Sequence, residues 1–89
     1  MKLIDAKKFA AEIDDQMPEL DLHLTRPEFF DVQIDQFLFK CSAEKAPRAK
    51  IITGIGTGVL RDRVKEFFSR HNLVAAIVEQ PGSIIVILQ

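Results

Sequence analysis

The sequence predicts an α/β domain: an N-terminal helix followed by elements in the order β-α-β-α-β-β, building a mixed four-stranded sheet. Three observations carry this expectation. An apolar stripe at offsets 0, 4, 7, 8 and 11 occurs twice, as Phe30, Ile34, Phe37, Leu38 and Cys41 and again as Leu60, Val64, Phe67, Phe68 and His71. That spacing marks one buried helix face. A short strand-like run precedes each stripe, at residues 19–23 and 48–53. Two more strand-like runs close the chain, separated only by Pro81-Gly82 and its neighbours, and a connection that short joins antiparallel strands.

Asp5 is placed to cap the first helix, whose apolar side reads Ala6, Phe9, Ala10 and Ile13. Met17-Pro18 stops it near residue 16, because the residue before proline is pushed out of the helical region. Thr25 suits the N-cap of the next helix, with Pro27 and Glu28 in its first turn, and Ala46-Pro47 ends it. Residues 54–58 form a turn, the second striped helix follows, and strands are expected over 73–78 and 83–88. Phe29, Phe30, Phe37, Phe39, Phe67 and Phe68 sit at helical spacing and read as core. The two βα units give parallel strands with right-handed crossovers. The striped helices share a face or take opposite faces, depending on strand order. Ile84-Ile85-Val86-Ile87-Leu88 is apolar on both parities, the mark of a central strand covered on both sides. If the striped helices share one face, the N-terminal helix or a second subunit must cover the other.

Eighty-nine residues with a hydrophobic fraction of 47% suit one packed domain and argue against disorder. The single cysteine, Cys41, excludes an internal disulfide and a cysteine-based zinc site, and it fits a reducing cytoplasm. Cys41 lies in an apolar stripe and reads as core rather than as a nucleophile. Met1-Lys2-Leu3-Ile4-Asp5 turns polar at once, unlike a signal peptide, and no run approaches the ~20 apolar residues of a membrane span. The net charge of −1 hides a dipolar chain: residues 1–44 sum to −5 and residues 45–70 to +5. The basic part flanks the glycine turn, where a local field attracts phosphate; the alternative is a solvated helix face of mixed charge.

Two short motifs can carry chemistry. In the first strand Leu20 and Leu22 point to the core, while Asp21 and His23 stand side by side on the other face. They lie near the carboxyl end of the strand, where ligands of parallel sheets collect. An aspartate beside a histidine orients the ring and raises its pKa, a pairing used in acid–base catalysis; the plainer reading is a surface ion pair. The second motif, Gly54-Ile55-Gly56-Thr57-Gly58, joins a strand to a helix and gathers three of the chain's four glycines. Glycines let backbone approach a ligand, and the amides of a helix start bind anions. The sequence is neither a P-loop nor the dinucleotide fingerprint. Its alternative is a tight turn without a ligand. Thr57 offers a hydroxyl for capping or phosphate, and Arg61 and Lys50 add charge nearby. His71 reads as a histidine favoured by the dipole at a helix C-terminus.

Leu20-Asp21-Leu22-His23, followed after a helix by Ile51-Ile52-Thr53-Gly54-Ile55-Gly56-Thr57-Gly58-Val59-Leu60-Arg61, closely resembles the Smr (small MutS-related) family. The resemblance covers residues 19–89, with residues 1–18 as an N-terminal helical extension. It implies a two-layer α/β sandwich, βαβαββ, like the C-terminal domain of translation initiation factor three. It implies nuclease or nucleic-acid-binding activity, since members nick DNA or cleave RNA; the first expectation is an endonuclease that prefers RNA, whose 2′-hydroxyl is a built-in nucleophile, with DNA nicking possible. By position it makes Asp21 and His23 catalytic, and makes Gly54, Gly56, Thr57, Gly58 and Arg61 phosphate-binding. The family's turn reads His-Gly-x-Gly-Thr-Gly-x-Leu-Arg; here Thr53 stands in place of the histidine, and no glycine follows His23. A non-catalytic binding or docking module is the second expectation. No metal or cofactor is expected. The expected partner is RNA or DNA, with no membrane, and with a homodimer or a larger assembly such as the ribosome as the setting.

Overall fold

The computed structural model describes residues 2–3 and 17–89. The helix expected over residues 5–16 lies outside them. Strand β1 (Lys2–Leu3) is followed by β2 (Glu19–Asp21), a single 3-10 turn (Pro27–Phe29), α1 (Phe30–Ala43), β3 (Arg48–Ile52), α2 (Val59–Ser69), β4 (Val74–Gln80) and β5 (Ser83–Leu88). The four expected strands form the mixed sheet. The two-residue β1, which the sequence reading did not include, adds to its edge, giving the order β1-β4-β5-β3-β2.

β2 runs parallel to β3, and β5 pairs antiparallel with both β3 and β4. The strands of the two βα units therefore point the same way, with β5 inserted between β3 and β4. The central place of β5 follows from its composition. Ile84 and Val86 belong to one buried cluster, and Ile85 belongs to the other. Any edge position would have exposed one of those sets.

Both helices press on the same face of the sheet. Phe30, Ile34 and Leu38 of α1 and Val64 and Phe68 of α2 share one core with Ile51, Ile77, Ile84 and Val86. The result is two layers. Each such side chain contributes about 1.5–3 kcal/mol on burial. Arg70–Glu66, with both side chains mostly exposed, belongs to a class worth only about 0–1 kcal/mol. Apolar stripes, not surface ion pairs, hold the helices down. On the opposite face Val78 and Ile85 are fully buried, with Met17 and Ile87 packed against them.

Several local details depart from the sequence reading. Thr25 is not the helix N-cap: its hydroxyl donates to the Asp21 carbonyl at 3.2 Å, and the chain enters α1 through Pro27 in the 3-10 turn. Phe29 is 50% exposed and Phe39 57% exposed, because they fall one position off the stripe set by Phe30 and Leu38. Helix α1 ends earlier than expected, at Ala43. Lys45 adopts φ 59, its amide donates to the Ser42 carbonyl, and the Ala46 amide donates to the Cys41 carbonyl. These two bonds satisfy carbonyls that a helix end leaves open. Cys41 is buried, and burial, with Glu44 nearby, pushes its thiol pKa up, as suits a core residue.

His71 departs most. It does not stand free at the end of α2. Its Nδ1 accepts the Leu73 amide at 3.2 Å, so the proton of the neutral ring sits on Nε2, which donates to Asp35 Oδ1 of α1 at 2.8 Å. Phe67 and Phe39 pack around the ring. The imidazole is a strut between the two helices. His71→Ala should lower unfolding free energy by about 0.5–1.5 kcal/mol, the net worth of a hydrogen bond to a half-exposed partner. Asp35→Asn should cost less, because the amide oxygen still accepts the bond. Denaturant unfolding of the three proteins measures both.

Candidate nucleic-acid interface

The two motifs meet at the carboxyl ends of β2 and β3. β2 stops at Asp21, but the Leu22 amide still donates to the Ile52 carbonyl, so His23 is delivered beside the start of the glycine turn. A methyl group placed on Gly54 would stand 2.6 Å from His23 Cδ2 and 3.3 Å from its Cγ. The imidazole occupies the space that any other residue at position 54 would need. Gly54 also has φ +79, a region in which side chains are strained. The glycine is demanded twice.

Asp21 serves His23 through the main chain. Its Oδ1 accepts the His23 backbone amide at 2.9 Å. This differs from the expected carboxylate-on-ring pairing: the acid fixes where the histidine backbone stands. Both side chains are exposed.

The hairpin turn at Pro81-Gly82 anchors the glycine loop. The Gly82 carbonyl accepts the amides of Thr53 at 2.9 Å and Gly54 at 3.0 Å. The Gly54 amide is thereby used internally, and this residue's place in the site is to seat the His23 ring. Thr53, where the family resemblance has histidine, is buried, and its hydroxyl donates to the Gly54 carbonyl at 3.4 Å. Thr57 stands one residue before the N-cap, and its Oγ1 accepts the Val59 amide at 3.4 Å. Gly58, at φ 91, is the N-cap residue. Among the described residues no hydrogen bond occupies the amides of Ile55, Gly56, Thr57 or Gly58. With the first-turn amides of α2 that have no intrahelical partner they form an arc of backbone donors, a kind of surface that suits an anion.

This arc is one wall of a cleft of about 550 Å³. The cleft is also lined by Pro27 and Phe30, by Arg61 and Arg63, and by the Pro81-Gly82 turn. Asp21 and His23 stand beside the cleft at Gly54 rather than in its lining. Phe30, Arg63 and the hairpin turn were not singled out from sequence. Phe30 reads as pure core because it begins the α1 stripe, and Pro81-Gly82 signals only a reversal.

The basic residues are more constrained than their count suggests. Arg61 lines the cleft but bonds to Glu79 Oε1 at 3.4 Å and to the Gln80 carbonyl. It ties α2 to the end of β4. Lys65 Nζ takes the other oxygen of Glu79 at 3.1 Å. Partial burial pushes the Glu79 carboxyl pKa up, but the Lys65 and Arg61 bonds and charges more than offset it, leaving the pKa below the ordinary value. Lys50 is not brought to the cleft. It lies in mid-strand opposite Ile85, on the sheet face away from the helices, 3.9 Å from Glu19. Arg63 sits 3.8 Å from Asp31, with its guanidinium 5.2 Å from the Phe30 ring centre. Among the described residues, Glu19 and Asp31 of the acidic first half meet Lys50 and Arg63 of the basic second half.

Fold and site define a small α/β domain presenting free amides and an imidazole at the end of parallel strands. The chain belongs to the Smr domain family, whose description matches residues 20–84. It is 35% identical over 78 residues to endonuclease MutS2 of Streptococcus thermophilus, in three strains, covering 88% of this chain but only 10% of those proteins. The chain thus spans about a tenth of the length of these relatives. Its structure is similar to the crystal structure of the Smr domain of Thermus thermophilus MutS2, with a TM-score of 0.73 and 29% identity, covering 82% of this chain and 99% of that one.

Gly54→Ala should displace the His23 ring and cost about 1–3 kcal/mol of stability, read by thermal melting and by the His23 ring resonances. The Glu79 clamp sets a pH signature. Because its folded pKa is depressed, its contribution is complete above the ordinary glutamate range and is lost as pH falls through the folded value. Wild type should therefore exceed Glu79→Gln in melting temperature at neutral pH, and the gap should close on acidification.

Proposed function

We propose that this domain binds nucleic acid at the glycine turn and cleaves its phosphodiester backbone, RNA in preference to DNA, with His23 as the acid–base group. The observation that supports this most is the packing of the His23 ring on Gly54, one residue from the free amides. A phosphate held by the amides of Ile55 to Gly58 lies alongside the imidazole. Those amides stabilise charge that builds on the phosphoryl oxygens. The imidazole exchanges a proton with the attacking or leaving oxygen. RNA is preferred because its 2′-hydroxyl is already next to the phosphate, whereas DNA requires a bound water. Asp21 is a positioning residue, acting through the His23 amide. The relatives named endonuclease MutS2 support the nuclease reading.

A second reading is a binding module without catalysis. It is favoured by Thr53, whose buried hydroxyl is turned to the Gly54 carbonyl where the resemblance has a histidine.

Incubation with end-labelled single-stranded and structured RNA tests the first reading. His23→Ala should lower the cleavage rate by about 100-fold or more. Asp21→Ala should lower it less, and Asp21→Asn should retain most of it, since an amide oxygen accepts the same backbone bond. Undiminished cleavage by His23→Ala sinks the assignment. Salt-sensitive binding without any cleavage, converted to cleavage by Thr53→His, establishes the second reading.

A further inference from the structure

Building on the glycine turn as a phosphate site, we infer that the adjoining cleft takes an unpaired nucleobase, stacked on Arg63, so that the substrate is single-stranded nucleic acid. A phosphate resting on free amides needs one wall of the cleft. The whole cleft, about 550 Å³, falls in the ~300–1,000 Å³ range of small-molecule pockets. Its other walls are largely carbon, from Pro27, Phe30, Val59 and Pro81.

Two side chains beside the amides sharpen the case. Ile55 is 89% exposed and Val59 73% exposed, on either side of Gly56, Thr57 and Gly58. A phosphodiester gains nothing from such apolar neighbours. The face of a base does, because stacking surface is common to all four bases. Arg63 supplies the platform. Its guanidinium lies against the Phe30 ring and near Asp31, and the side chain, still 46% exposed, lines the cleft. A planar cation held between a ring and a carboxylate keeps surface free on which a base can stack.

A duplex cannot use this arrangement. Its bases are stacked inside, and reaching the cleft from the adjacent phosphate requires extruding one. A single strand presents the base without that cost.

The test compares three ligands of the same length by fluorescence anisotropy: a labelled single-stranded oligonucleotide, a wholly abasic sugar–phosphate chain and the blunt duplex. Removing every base prevents the protein from shifting register to an intact position. The abasic chain should bind about tenfold more weakly than the single strand. Arg63→Lys, which keeps the charge but loses the plane, and Val59→Ser, whose amide is already taken by Thr57 Oγ1, should each weaken the single strand by a comparable factor and leave the abasic chain unchanged. Methyl resonances of Ile55 and Val59 should shift with the base-bearing strand alone. Equal binding of intact and abasic chains, or tighter binding of the duplex than of the single strand, overturns the inference and leaves the phosphate site standing. Binding of none of the three removes the phosphate reading and the inference with it.

Discussion

One carbonyl organises the functional end of this domain. The oxygen of Gly82 receives the amides of Thr53 and Gly54, tying the last residues of the β3 path to the β4–β5 hairpin turn. That pair of hydrogen bonds takes the Thr53 and Gly54 amides, while those of Ile55 to Gly58 have no partner among the described residues. It also fixes the height of Gly54 under the His23 ring. The hairpin is in turn held by the pairing of β5 between β3 and β4, which depends on a strand that is apolar on both faces. Core packing and ligand geometry are thus linked through backbone hydrogen bonds rather than through side-chain chemistry.

Charge plays a more local part than the dipolar sequence suggests. Folding brings acidic and basic residues together, at Glu19–Lys50, Asp31–Arg63 and Glu79 with Arg61 and Lys65. Under the proposed function, what remains for an anion is directional: unpartnered amides at a helix start, beside a cleft. Such donors act at contact distance and lose little to screening, unlike a diffuse basic surface. An arginine held by a glutamate at the same place serves first as a structural tie.

Much of the fold was legible because it rests on periodicity. The two stripes at offsets 0, 4, 7, 8 and 11 mark the helix faces that are buried, and the continuous apolar run in β5 marks its central position. Single positions were less legible. Phe29 and Phe39 belong to the same composition as the core phenylalanines but sit off the stripe. Thr25 has the chemistry of a cap, yet a 3-10 turn intervenes. Two residues of parallel pairing at Lys2 and Leu3 carry no periodic signal at all. In the site, the adjacency of His23 to the glycine turn was readable from strand ends and motif spacing. The commitments of individual atoms were not: the Asp21 carboxylate on an amide, the Arg61 guanidinium on Glu79, and the Lys50 side chain on the far face. Those depend on residues distant in sequence, or on which of two nearby groups the folded backbone presents.

The sheet order has a bearing on how this domain keeps company with other chains. Its outermost strands, β1 and β2, are also its shortest, two and three residues long. β2 carries Glu19 and Asp21, both exposed, on either side of its single leucine. At β2 few described main-chain groups stand in a row for another strand to zip against, and carboxylates guard them. The long, aggregation-prone hydrophobic strands are kept inside. Recruitment by strand addition at the β2 edge is therefore disfavoured, while the loop end presents amides without partners.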